Sequence, residues 1–300
     1  MTTARARIVV AINPQASFGT RRDVGPRAVE ALEAAGYDAV PLMQPNMELL
    51  RREVSIAVES GADALVVVGG DGMVSLGVNI VADTLTPLGI VPNGTGNDAA
   101  RGLGIPLDDM DAAITSLVQA LERGPRTIDV GRVRQGGLST WFVGVLSAGF
   151  DSLVNERANR MSRPRGKSRY TIAMLRELVT FKPREYVVTA DGNTTKTRAM
   201  LIAVANNQSI GGGMRIAPGA VLDDGLLDLF IVTPMSKFAF VRVFPKVFSG
   251  THTSIEQVHL STVRSVRLES PAAVAYADGE RIGALPVDVE VVPGALRVLA

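Results

Sequence analysis

Residues 64–104, ALVVVGGDGMVSLGVNIVADTLTPLGIVPNGTGNDAARGLG, constrain the fold more than any other stretch of the chain. Two apolar runs, residues 65–68 and 88–91, are short and rich in β-branched side chains, as buried parallel strands are. The first stops at Gly69-Gly70-Asp71-Gly72, the second at Pro92-Asn93-Gly94-Thr95-Gly96-Asn97-Asp98. Two glycine-rich turns at the carboxyl ends of such strands mark the edge of an open α/β sheet. Ligands bind there because the loops converge and the following helices direct amide groups at them. Glycine lets the backbone approach a phosphate closely, and successive bare N–H groups form a concavity for an anion. The pair reads as a site for nucleotide phosphates.

Upstream, residues 8–12 form a first strand, closed by Asn13-Pro14 and a loop through Gly19. A helix follows to about residue 35, with Arg21 and Arg22 at its start within reach of a phosphate or simply solvated. Residues 38–43 are a second strand and 47–60 a second amphipathic helix stopped by Gly61. Strand, helix, strand, helix, strand implies right-handed crossovers and a parallel sheet. A helix over 107–123 is broken by Gly124-Pro125, and from there the texture changes. Strand-like runs over 127–133, 139–146, 185–190 and 196–205 are joined by turns such as Gly136-Gly137 and Asp191-Gly192, implying antiparallel hairpins. The expected fold is therefore α/β with two domains: 1–125, Rossmann-like, and 126–300, a β-rich antiparallel sandwich with inserted helices. The strand-like tail near 290–300 is expected to return to the first domain.

The 300 residues, 46% hydrophobic, suffice for two full cores, and a net charge of +1 provides no general attraction to nucleic acid. There is no cysteine, which fits a reducing compartment. No apolar run approaches the roughly 20 residues that cross a bilayer, and the apolar stretch near the N-terminus is too short for a signal sequence. His252 and His259 have no acidic or cysteine partners in register, which argues against a metal pair or a histidine-dependent hydrolase. A dinucleotide oxidoreductase would need Gly-x-Gly-x-x-Gly after the first strand, and the loop after Ile12 does not supply it.

Taken together, Gly69-Gly70-Asp71-Gly72 and Pro92 to Asp98 resemble the catalytic domain of the diacylglycerol kinase family, which includes sphingosine, ceramide and bacterial lipid kinases. NAD kinases and phosphofructokinases share only the first motif. Asn13, Pro14 and Gly19 resemble the family's first turn. By this resemblance Asn13, Gly69, Gly70, Asp71, Gly72, Thr95 and Asn97 lie against ATP. Asn97 and Asp98 can also cap the short helix that follows, and for Asp98 a plain cap is the preferred reading. The sequence departs from the family at Met73, Ser75 and Leu76, where Thr, Asn and Glu are usual. Methionine offers only a backbone amide and a soft apolar surface, so nucleotide affinity or orientation is expected to differ.

The resemblance extends to Gly149-Phe150-Asp151, to Gly166-Lys167-Ser168-Arg169-Tyr170, and to residues 217–228, APGAVLDDGLLD. Arg157, Arg160, Arg163, Arg165, Lys167 and Arg169 form a basic stretch suited to anionic lipid or to a solvated loop. Adjacent carboxylates before a glycine turn can hold a hard cation. In bacterial relatives a structural magnesium sits here, which by position implies Asp224 with the main-chain oxygens of Val221 and Leu226. Asp223 and Asp228 are candidates for structural hydrogen bonds. The apolar helix expected over 237–248 either lines the path of an acyl chain or is core.

Residues 274–277 form a strand turning at Asp278-Gly279-Glu280, a hairpin signal on geometry alone. In the family, Asp-Gly-Glu supplies the carboxylates that take the proton of the lipid hydroxyl, which implies Asp278 and Glu280, with their division of labour open. The resemblance thus implies a lipid kinase using ATP and Mg²⁺, transient contact with a membrane surface, and a cytoplasmic, peripheral location. Diacylglycerol is the first-choice lipid alcohol. An NAD kinase-like phosphotransferase and a non-catalytic lipid-binding relative are the alternatives, and a homodimer is left open.

Overall fold

The computed structural model describes residues 5–13, 23–149, 182–271 and 273–300. Pro14, Gly19, Arg21, Arg22, Phe150, Asp151 and the basic stretch from Arg157 to Tyr170 lie outside the described residues. The chain divides into two compact units, Met1–Ile128 with Gly294–Ala300, and Asp129–Pro293.

In the first unit the strands are β1 (Arg7–Ile12), β2 (Asp38–Leu42), β3 (Ala64–Gly69) and β4 (Leu88–Pro92). They lie in the order β2-β1-β3-β4, all parallel. The end of β16 (Val287–Leu299) adds a fifth parallel strand, with Val298 opposite Leu88. β3 is buried along its whole length, as a central parallel strand must be. Helices α1 (Val24–Ala34), α2 (Met47–Glu59), α3 (Asp71–Val81), α4 (Asp98–Gly102) and α5 (Met110–Arg123) connect the strands. α1 has no side-chain cap, and buries Val24, Ala28 and Leu32 at spacing i, i+4, i+8 against Ile8, Val10 and Val66. A missing cap costs about 1 kcal/mol, whereas burying one Val or Leu side chain contributes about 1.5–3 kcal/mol, so packing decides this helix. α2 and α5 are capped by Asn46 and Asp109, whose side-chain oxygens accept from N–H groups in the first turn at 2.9 and 3.0 Å.

The second unit is a sandwich. One sheet contains β5 (Arg126–Gln135), β6 (Leu138–Phe142), β8 (Arg184–Ala190), β9 (Asn193–Ala199), β13 (Ser265–Glu269) and the start of β16. The other is antiparallel, in the order β12-β11-β10-β7-β14-β15, where β7 is Val145–Gly149, β10 Leu201–Ala205, β11 Leu227–Val232, β12 Val258–Val263, β14 Val274–Ala277 and β15 Glu280–Ala284. Phe142, Tyr186 and Leu268 of the first sheet pack with Leu146, Ile202 and Leu229 of the second. The outer face of the second sheet, with Ala203, Phe230 and Val232, is covered by Phe240 of α6 (Lys237–Ser249).

Two runs expected to be single strands are each divided between the sheets. Residues 139–146 split into β6 and β7 at Val143-Gly144, and 196–205 into β9 and β10 at Met200. A strand that bends from one layer to the other keeps its apolar alternation through the corner, so periodicity carries no mark of the break. At the first corner the N–H groups of Val143, Gly144 and Val145 leave the ladder and point at one carboxylate, that of Asp278.

His252 is fully buried next to α6, its Nε2 3.1 Å from the carbonyl of Ile216 and its ring edge-on to Phe230 with centroids 5.5 Å apart. Burial holds its pKa below the ordinary 6.5. The unfolded chain then binds more protons than the native one on acidification, so stability is complete above pH 6.5 and falls as pH drops below it. Urea midpoints measured on both sides of pH 6.5 are expected to decline on the acid side, and His252→Gln to flatten that decline.

Candidate active site

At the carboxyl edge of β1, β3 and β4 the backbone bonds of the sheet continue one step into the loops. Asn13 N–H donates to Val68 O at 3.1 Å, and Asn93 N–H donates to Gly69 O at 2.8 Å. This brings Asn13, Gly69 and Asn93 side by side. The two glycine turns then meet backbone to backbone: a Cβ on Gly94 would fall 2.4 Å from the Cα of Gly70. No side chain fits at either position without parting the loops.

Asn97 is left-handed at φ 54°, and its side chain closes its own turn, accepting from Gly94 N–H at 3.0 Å and donating to Gly94 O at 3.1 Å. It therefore does not cap α4, contrary to expectation. That helix is capped from the other loop, because Asp71 accepts from Ala99 N–H at 3.3 Å and also from the amides of Asp98 and Asn97. Burial raises the pKa of Asp71 above the ordinary 3.8, the charge of Asp98 raises it further, and the three amides oppose the shift. Thr95 is exposed at the loop tip. Gly70 precedes α3, whose first residues are Asp71 and Gly72.

The three departures from the family pattern point inward. Met73, Ser75 and Leu76 are 1%, 5% and 0% exposed. A Cβ on Gly69 would fall 2.4 Å from Met73 Cγ, so the methionine side chain fills the space behind that glycine. Its amide donates to Gly70 O at 2.9 Å and so closes the turn. Both the amide and the apolar surface of Met73 are thus used internally.

In the second unit, Asp278 (φ 48°) and Gly279 (φ 83°) form the two-residue turn between β14 and β15, with Ala277 opposite Glu280. The hairpin geometry and the carboxylates thus coexist. Asp278 Oδ2 accepts from Val143 N–H at 2.9 Å, and Oδ1 from Gly144 and Val145 N–H at 3.0 Å each. Glu280 next to it is exposed, and its carboxylate makes no hydrogen bond or ion pair among the described residues.

The same corner is held from its carbonyl side by Asn206, which sequence reasoning missed. Its Nδ2 donates to Val143 O at 3.1 Å and Asp129 O at 3.0 Å, and its backbone N–H donates to Gly144 O at 2.9 Å. Asp129, also missed, donates its N–H to Leu222 O at 2.7 Å and accepts from Gly225 N–H at 2.6 Å, pinning the turn that carries Asp223 and Asp224. The available signal was a polar residue at an inward position of a strand-like run, in TIDVGRV and LIAVANN.

Val221, Asp223 and Asp224 are exposed, and Asp224 accepts from Leu226 N–H at 3.0 Å. Burial, and then the charge of Asp224, push the carboxyl of Asp228 up to about 6. Among the described residues no cluster of three or more His, Cys, Asp or Glu side chains has metal-binding geometry. A cation here would depend on Asp224 and carbonyl oxygens. An all-oxygen donor set in a locally negative turn fits a hard divalent ion.

Residues 7–133 match the diacylglycerol kinase catalytic domain, and residues 144–300 the YegS C-terminal NAD kinase beta sandwich-like domain. The chain is 38% identical over 295 residues to a diacylglycerol kinase of Mycobacterium tuberculosis, covering 98% of this chain and 94% of the relative. It is 27% identical to a diacylglycerol kinase of Bacillus subtilis, covering 94% and 91%. Its fold resembles the crystal structure of a diacylglycerol kinase from Bacillus anthracis, with a TM-score of 0.74 at 20% identity, covering 100% of this chain and 98% of that one. Matches to a catalytic and a C-terminal domain in succession, and to a relative over nearly its whole length, carry one conclusion: the chain belongs to the diacylglycerol kinase family and is a lipid kinase.

Proposed function

We propose that the protein transfers the γ-phosphoryl group of ATP to the hydroxyl of diacylglycerol, giving phosphatidic acid. The substrate follows the name carried by the Mycobacterium tuberculosis relative. The observation that carries the mechanism is the contrast between Asp278, whose carboxylate is spent on three backbone donors, and Glu280, whose carboxylate is exposed. Glu280 is the base and Asp278 positions it. The hydroxyl oxygen attacks the γ-phosphorus, its proton passes to Glu280, and the bond between the γ-phosphorus and the oxygen bridging it to ADP breaks.

In this reading residues 1–125 bind nucleotide and 126–300 bind lipid. Asn13, Gly69, Gly70 and Gly72 form the phosphate concavity, which the bare Gly70–Gly94 contact supports. Thr95 offers its hydroxyl and amide, Asn97 shapes the turn, and Asp71 ties one loop to the helix after the other. Asp224 with the carbonyls of Val221 and Leu226 would hold Mg²⁺, which when bound would offset the negative charge of this acidic turn and stiffen it. Because the lipid hydroxyl stays at a bilayer surface, the enzyme works peripherally there, on the cytoplasmic side.

Glu280→Gln is expected to lower kcat about 10²–10⁴-fold in a mixed-micelle assay with the melting temperature unchanged. Asp278→Asn places an amide NH₂ among N–H donors, and is expected to cost about 1–3 kcal/mol of stability as well as activity. Because burial raises the pKa of native Asp71, ionisation at neutral pH costs stability that is regained as pH falls through that raised value. Asp71→Asn should therefore show a shallower loss of stability than the native protein between acid and neutral pH, and bind ATP more weakly by calorimetry. Asp224→Asn is expected to abolish any rise in melting temperature produced by Mg²⁺, and persistence of that rise would exclude the site.

A further inference from the structure

α6 has two apolar faces, and the sandwich uses one. Phe240, with Phe244 and Val247, packs on the outer face of the six-stranded sheet. Phe238, Val241, Pro245 and Phe248 recur at i, i+3, i+7, i+10 on a second face, and all four are exposed, Phe238 by 77% and Phe248 by 50%. An apolar stripe of this kind facing solvent marks an interaction surface.

The remaining exposed side chains of the helix indicate the partner. They are Lys237, Arg242, Lys246 and Ser249, with no acid among them. No Asp or Glu occurs from residue 229 to residue 255, although the chain as a whole carries 31 basic and 30 acidic residues. Arg215 donates its amide to Val247 O at 2.9 Å, which places a further exposed cation beside the end of the helix. Aromatic and aliphatic side chains on one surface, flanked by lysine and arginine, suit an anionic bilayer: the rings enter the headgroup boundary while the cations meet the lipid charge. A second copy of this chain is disfavoured, because a two-fold interface through the stripe would set these cations against their own copies.

We propose that α6 is the element by which the protein docks on anionic lipid bilayers, delivering the kinase to the surface that holds its substrate. The proposal rests on the lipid-kinase reading for its purpose and on α6 for its geometry.

The test is sedimentation of the full-length protein with phosphatidylcholine vesicles, with and without phosphatidylglycerol. The native protein is expected to pellet with the anionic vesicles and to be released by salt. Phe238→Ser with Val241→Ser should lower partitioning by about tenfold or more, and Arg242→Gln with Lys246→Gln should remove the preference for anionic lipid. Both variants change only exposed residues, so they should melt with the native protein and phosphorylate a short-chain, monodisperse diacylglycerol at the native rate. Variants that pellet like the native protein, or a native protein that ignores anionic vesicles, would overturn the proposal. So would a dimer in ultracentrifugation that Phe238→Ser disperses, which would assign the stripe to a second copy. Failure of phosphoryl transfer to every lipid would remove the kinase reading alone, since pelleting decides the docking surface independently.

Discussion

The second unit depends on a single carboxylate. Where the chain passes from β6 to β7 it leaves one sheet for the other, and three consecutive N–H groups have no strand to bond. Asp278 satisfies all three at 2.9–3.0 Å. An unsatisfied buried donor costs about 1–3 kcal/mol, so a corner with three of them would not persist alone. Asn206 takes the carbonyls of the same corner and reaches Asp129, which in turn fixes the turn around Gly225. One polar chain thus runs from the Asp-Gly-Glu hairpin to the acidic turn, through residues whose bonds go mostly to backbone.

The first unit solves a different problem with the same economy. Two loops meet so closely that a Cβ on Gly94 would fall 2.4 Å from the Cα of Gly70. Close approach alone would leave them free to slide. Asp71 prevents this by crossing from the first loop to cap the helix that begins the second, at the expense of keeping a carboxylate where burial and Asp98 disfavour its charge. Met73 supports the first loop from behind.

Much of this was legible in the sequence, and the unreadable parts share a cause. Parallel strands, glycine turns and the long helices announce themselves through local pattern, because their determinants lie within a few residues of one another. β3 and α5 are examples. The corners at Val143-Gly144 and Met200 are invisible because alternation continues through a strand that changes sheets. Asn97 reads as a helix cap because it has the right residue type at the right place. Its side chain turns back on Gly94, and Asp71, distant in sequence, does the capping. Asp129 and Asn206 act through partners far along the chain, and a substitution such as Thr to Met at position 73 reveals its inward role only when Gly69 is seen against it.

The final strand has a consequence for how the chain is assembled. Val287 to Glu290 pair with β13 in the second unit, and Val298 and Leu299 run beside β4 in the first. The first unit is therefore interrupted by the whole of the second, and its β4 gains that neighbour only through residues synthesised after all the others it contains. Loop-closure entropy must be overcome before that pairing rewards it. During synthesis the parallel sheet of the first unit therefore holds β4 without that neighbour until the last strand is made.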